Sequence, residues 1–266
     1  MKVKIRASSL PELFDCPARW AAKHLDGLKT PNTGLAQLGT AVHHGTAVFD
    51  QSRIDGSGVT ADDAAGAFVD ELDRAETMWT EDMPRKRAEK AGLLLTTKYC
   101  LDLSPQYNWK AVEIDFQGVE IDMGDGLILE LTGHADRIYQ KTGFGVSDIK
   151  TGKQAVNKDG TVTVDKHIYQ LGQYELISML AQNELHYDIT EPAQIIGLQT
   201  TGDYKVGIGE VGRPSSILIG NEKQTGLLEM AAGMLKSGIF HGNPKSMMCH
   251  EKYCPVFNQC WFRGQQ

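Results

Sequence analysis

The stretch Asp136-Arg137-Ile138-Tyr139-Gln140-Lys141-Thr142-Gly143-Phe144-Gly145-Val146-Ser147-Asp148-Ile149-Lys150 reads as two strands joined by a tight turn. Its second half is short, rich in β-forming residues and bounded by glycine, and Lys141-Thr142-Gly143 supplies the turn. With the turn centred on Thr142, Ile138 faces Val146 and Asp136 faces Asp148. Directly opposed residues hold their Cβ atoms about 4.5–5.5 Å apart, so two carboxylates there repel unless a cation lies between them. Hard oxygen donors suit Mg²⁺ or Mn²⁺. Lys150, two residues past Asp148, shares that face. A hard cation beside an ammonium fits phosphodiester hydrolysis, because the ion acts as a Lewis acid and activates water. An Asp-x-Lys tripeptide is also common as ordinary surface charge, so the rest of the chain must add constraints.

Working outward, the first hundred residues read as helical. Ser9-Leu10-Pro11-Glu12 has capping-box spacing, and Leu10, Leu13, Phe14 and Trp20 form a stripe interrupted near Cys16-Pro17. A helix over Leu35–Phe49 puts Leu38, Val42, Gly45 and Phe49 on one face. His43 lies beside that stripe, four residues after Gly39, whose missing side chain leaves room for a strand or ligand. A third helix covers Ala61–Thr80, and the basic group Arg85, Lys86, Arg87 and Lys90 leads into another ending near Cys100. From Trp109 the period shortens: Val112, Ile114 and Phe116 alternate with polar residues, as do Leu127, Leu129 and Leu131. Beyond the hairpin, a helix over His167–Asn183 carries Gln170 and Tyr174 on one face. Strands follow at Ile195–Thr200 and Val206–Val211, then a helix over Glu222–Ser237 with Asn221 as N-cap and Gln224 at the box position. The order is that of one α/β domain with a helical N-terminal lobe.

Composition narrows the classes. Lys and Arg number 27 against 34 Asp and Glu, a net charge of −7. That excludes a non-specific basic DNA coat but not a DNA-cutting enzyme whose carboxylates hold a cation. No run approaches the roughly 18 apolar residues of a membrane helix, and acids interrupt the start where a signal peptide needs an apolar stretch. The expected location is cytoplasmic, where clustered cysteines point to metal or redox chemistry rather than disulfides. Cys249, Cys254 and Cys260 crowd one short segment, and Cys16 or Cys100 can complete a tetrathiolate site for Zn²⁺ or an iron–sulfur cluster. His250 could replace a thiolate in a zinc site.

Taken in order, Ser9 to Pro17, Gly39-Thr40-Ala41-Val42-His43, Gly133-His134-Ala135-Asp136, Asp148-Ile149-Lys150-Thr151-Gly152, Gln170-Leu171-Gly172-Gln173-Tyr174 and the C-terminal cysteines resemble the motifs of RecB-like PD-(D/E)xK nucleases that carry an iron–sulfur cluster. These include the AddB nuclease domain and the CRISPR-adaptation nucleases. The resemblance implies an α/β, restriction-endonuclease-like mixed sheet flanked by helices, with a cysteine cluster joining the two ends. It implies one nuclease domain over 1–266: a helical lobe over 1–105, a catalytic core over 106–240 and an iron–sulfur segment over 241–266 completed by Cys16. It further implies that His43, Asp136, Asp148 and the Ile149 carbonyl bind Mg²⁺ or Mn²⁺. Lys150 would activate water or stabilise the transition state, and Gln170 and Tyr174 would contact the DNA strand. Cys16, Cys249, Cys254 and Cys260 would hold a [4Fe–4S] cluster, with Zn²⁺ as the alternative. Glu113 sits where the family often has a glutamate. The implied activity is exonucleolytic cleavage of single-stranded DNA ends, alone or beside a helicase, recombinase or CRISPR-adaptation partner. The alternative is a catalytically silent DNA-end-binding or recombination-accessory protein on the same fold.

Overall fold

The computed structural model describes residues 1–181 and 187–263. It opens with a strand, β1 (Lys2–Arg6), where the sequence reading places helix. Alternation of Val3 and Ile5 with exposed neighbours explains the strand, since both fit one buried face of a sheet. Two short helices follow, α1 (Leu10–Asp15) and α2 (Pro17–His24), broken at Cys16. The capping box does not form: Ser9 Oγ donates to the Arg6 carbonyl, and Glu12 pairs with Arg19 and Lys23. The helical lobe itself begins at α3 (Gly34–Asp55) and continues through α4 (Ala61–Leu72) and α5 (Arg85–Lys98). The helix expected over Ala61–Thr80 therefore ends early. The α5 helix runs into one π-type turn, Tyr99–Leu103.

The sheet comprises β1 with β2 (Trp109–Asp122), β3 (Ile128–Gln140), β4 (Phe144–Gly152), β5 (Ala193–Gln199) and β6 (Val206–Val211). Between β4 and β5 runs α6 (Ile168–Leu180), the crossover that a parallel pair requires. The end of that helix expected near Asn183 lies outside the described residues. After β6 come a short helix α7 (Ser216–Ile219), a two-residue hairpin of β7 (Gly220–Asn221) and β8 (Gln224–Thr225), and α8 (Leu227–Ser237). Asn221 is thus not an N-cap. Its side chain accepts from the Lys223 and Gln224 amides and closes the hairpin turn instead.

The register of the decisive hairpin is the expected one, with Ile138 opposite Val146 and Arg137 opposite Ser147. Its ladder stops there, one step short of the aspartates. The central strand β3 explains why. One of its edges is occupied by β2; the other is shared by β1, parallel along 128–132, and β4, antiparallel along 137–140. Gly133–Asp136 lies in the gap between these two partners. Side chains close it: Gln173 Nε2 donates to the Thr132 and Ile5 carbonyls, Tyr174 Oη to the His134 carbonyl, and the Ile149 amide to Asp136 Oδ2 at 2.6 Å.

Helices cover both faces. One core joins α1, α2, α6, α7 and α8 to Val3, Ile5, Leu129, Leu131 and Ile195. The other joins α3, α4 and α5 to Trp109, Tyr139, Ile149, Ile196 and Leu198. The mixed sheet flanked by helices is the restriction-endonuclease-like architecture. The gap in β3 sits at the seam between the two cores.

Candidate active site

From one side of the sheet α3 brings His43, whose Nδ1 lies 3.2 Å from Asp136 Oδ1. Gly39 permits this approach, because a Cβ there would meet Thr151 Oγ1 of β4 at 3.0 Å. From the other side α6 brings Gln170 and Tyr174. Gln170 Nε2 donates to Asp148 Oδ1 at 2.8 Å, and Tyr174 Oη stands 3.3 Å from the same oxygen. Gly133 admits the tyrosine: a Cβ on it would come within 2.8 Å of the ring. Both side chains are buried and spend their polar atoms on Asp148 and the β3 backbone. Lys150 Nζ lies 2.5 Å from Asp148 Oδ2. This ion pair is the one polar contact of the buried Oδ2 among the described residues.

All six residues, His43, Asp136, Asp148, Lys150, Gln170 and Tyr174, line one cleft of about 580 Å³. Ile149 is fully buried behind it. A second cleft of about 510 Å³ shares His43, His134 and Asp136 with the first and adds Glu113. Between the ladder pairs Val112–Arg137 and Ile114–Ala135, Glu113 adopts φ +52°, a left-handed conformation that costs a non-glycine residue about 1–3 kcal/mol. Its Oε2 lies 2.6 Å from His134 Nε2, and its Oε1 accepts from Arg137. One ligand atom each from His43, Glu113 and Asp136 fall within 4.8 Å of one another, the one such group among the described residues.

The two aspartates are pushed apart electrostatically. Burial raises both, but at Asp136 the His43 charge and hydrogen bond and the Lys150 charge outweigh it and hold the carboxyl far below the usual range. At Asp148 burial, reinforced by the Asp136 charge, outweighs Lys150 and leaves the carboxyl raised. Lys150 is also raised: burial works to lower it, but Asp148 and Asp136 prevail and the ammonium stays charged. Environments that push two neighbouring carboxyls apart beside a charged lysine are the pattern by which acid and base roles are divided.

The sequence profile of the PD-(D/E)XK nuclease superfamily matches residues 5–261. The chain belongs to that superfamily. No curated protein matches it. A solved structure from Eubacterium rectale, described as a "putative exonuclease", is similar in fold at TM-score 0.56 and 13% identity, covering 92% of this chain and 86% of its own. Another, SSO0001, aligns over 96% of this chain and 97% of its own at 16% identity, but its TM-score of 0.40 carries no argument.

Nucleases of this superfamily use divalent metal ions, and the donor set here fits one. One imidazole beside two clustered carboxylates, His43 with Glu113 and Asp136, is a donor set that suits a hard or borderline cation.

Sequence reasoning missed the support behind this nuclease's site. Arg137 and Asp50 are fully buried and paired, Nε to Oδ2, at 2.6 Å. Arg137 also donates to the Asp136 carbonyl at 2.7 Å and to Thr46 Oγ1 at 3.0 Å. Asp50 accepts in addition from Tyr99 Oη at 2.6 Å and from Ser104 Oγ, the first residue of the π-type turn and the residue just after it. The signal was present in Asp136-Arg137 itself, since a charged residue cannot be buried within a sheet without a partner.

The cysteines lie away from that cleft. Cys16, Cys249, Cys254 and Cys260 line one small pocket with Arg19, and all are free thiols. Burial, then neighbouring thiols, raise Cys249 and Cys254. Cys100 is elsewhere, buried in the helical core, where desolvation pushes its thiol up to about 12. The basic group on α5 lines neither cleft, and Arg85 is occupied by Asp73 and Glu89.

Proposed function

We propose that the protein is a divalent-metal-dependent deoxyribonuclease that hydrolyses phosphodiester bonds at single-stranded DNA ends. The meeting of His43, Asp136, Asp148 and Lys150 in one cleft carries this reading. His43, Asp136 and Asp148 would hold Mg²⁺ or Mn²⁺ with the Ile149 carbonyl; Glu113 already groups with His43 and Asp136 within 4.8 Å, and Asp148 stands outside that group. The imidazole favours Mn²⁺. A bound ion supplies Lewis-acid polarisation and a water of lowered pKa. The chain supplies the rest. Asp136 stays ionised, anchored by the Ile149 amide. Lys150 keeps its proton and offers a positive charge where phosphoryl oxygens gain negative charge. Gln170 and Tyr174 hold Asp148 in orientation and, lining the same cleft, border the strand.

End-directed cleavage is the mode we propose; the similar Eubacterium rectale protein is described as a "putative exonuclease". Four thiols in one pocket support a cluster. The cluster we propose is [4Fe–4S], with Zn²⁺ the alternative that the same four thiolates could hold. Lobe, sheet and cysteine segment are read as one nuclease domain, working in the cytoplasm with or without a helicase, recombinase or CRISPR-adaptation partner. Among the described residues no helix is long and apolar enough to cross a membrane.

The test is cleavage of labelled single-stranded DNA with and without Mn²⁺ or Mg²⁺. Parent protein should shorten the strand from an end only with metal, and Asp148→Ala and Lys150→Ala should each lose about 10²-fold or more while remaining folded. Variants that cut as well as the parent sink the assignment. Binding of ends without any cutting supports the accessory-protein alternative.

A further inference from the structure

The connection from β4 to α6, residues 153–167, is long for a compact domain and holds only a 3₁₀ turn at its end, the kind of loop that is usually functional. It is nevertheless seated firmly. Gly197 and Gly207 face each other across the β5–β6 ladder, and Gly209 follows on the same side of β6. A Cβ on Gly197 would meet the Ala155 carbonyl oxygen at 2.3 Å, on Gly207 that of Gly160 at 2.6 Å, and on Gly209 that of Val162 at 2.6 Å. Three glycines thus clear one face of the strand pair, and the loop backbone lies directly on it. The loop also closes on itself. The Asn157 amide donates to the Thr161 carbonyl at 2.8 Å, Gly160 turns the chain at φ +89°, and Lys205 Nζ pins the Lys158 carbonyl at 2.8 Å.

This loop walls a cleft of about 410 Å³ that begins at Lys150 and carries Lys153, Lys158, Lys166 and His167. No acidic residue lines it, in a chain of net charge −7. Among the described residues Lys153, Lys158 and Lys166 form no ion pair, while Asp159 of the same loop is spent on Thr161. Burial pushes His167 down to about 4, and the Lys150 and Lys166 charges act in the same direction.

We infer that this cleft is the path of the DNA strand beside the scissile phosphate, its lysines meeting successive phosphates and the glycine floor holding their loop in place. The inference rests on the nuclease reading for the identity of the strand. The test is anisotropy of a fluorescent oligothymidine, without added divalent ion, across a range of salt. Joint Lys153→Gln, Lys158→Gln and Lys166→Gln substitution should weaken binding at least about tenfold and flatten the log affinity against log salt slope by about 2. Joint Lys86→Gln, Arg87→Gln and Lys90→Gln substitution on α5 should leave both unchanged. Gly207→Val, folded by circular dichroism, should weaken binding by lifting the loop. A loop variant that keeps the parent slope, or an α5 variant that loses it, overturns the path. A parent that binds through these lysines yet leaves the strand uncut with Mn²⁺ removes the nuclease reading and leaves the path standing.

Discussion

At the scale of single residues, the pair of Arg137 and Asp50 sets the terms. Asp50→Asn strands a guanidinium in the core, and breaking a buried pair by removing one partner costs about 3–5 kcal/mol. The urea midpoint should fall accordingly. Replacing both residues, Asp50→Leu with Arg137→Met, should recover only part of that stability, because Tyr99 Oη and Ser104 Oγ lose their acceptor. It should still demand more Mn²⁺ for cleavage, because the Asp136 carbonyl and Glu113 lose their shared donor. His167 gives a separate prediction. Its imidazole takes a proton near 6.5 when unfolded but only near 4 when folded. Between those values the unfolded chain binds more protons, so this contribution is complete above about pH 6.5 and is lost as pH falls toward 4. Urea melts at pH 7 and pH 4.5 should show a smaller drop for His167→Gln than for the parent.

Elements matter through the gap in β3. Because β1 and β4 divide one edge of that strand, Gly133–Asp136 depends on α6 side chains for its polar partners. Gly133→Ala forces a methyl against the Tyr174 ring, overpacking worth about 1–3 kcal/mol, and displaces the phenol that flanks Asp148. Cleavage should fall more steeply than thermal stability, as parallel kinetics and melting would show. Much at this scale was legible: the hairpin register, the β5 and β6 strands and the α6 face carrying Gln170 and Tyr174 follow from periods of 2 and 3.6. The strand β1 was not, since Val3 and Ile5 offer only two alternating positions. Nor was the Asn221 turn, where Asn has the same local preference for a helix cap and for a tight hairpin.

Across the whole molecule, the two ends are tied beside the cysteine pocket. Arg19 donates to the Tyr253 carbonyl at 3.0 Å, Asn243 Nδ2 to the Asp15 carbonyl at 2.9 Å, and the Asn243 amide approaches Cys16 Sγ at 3.4 Å. A link over so long a loop removes more unfolded-state freedom than a short one. Protein bearing the proposed cluster should be brown with broad visible absorption. Cys16→Ser should lose that colour, melt at lower temperature and expose the segment beyond Gly238 to protease. Iron and zinc analysis of the parent separates the two metals, and a colourless zinc protein would refute the cluster.

Local pattern alone was enough to place Asp136, Asp148, Lys150 and His43 on their elements, because hydrophobic period and turn chemistry act over a few residues. It could not say that Asp136 lies in a gap between two strands, that Arg137 reaches Asp50, or that three glycines of β5 and β6 floor a basic loop. Those facts need residues far apart in the chain to share one volume. Burial, and with it the cost of every unpaired charge, exists only once that volume has closed.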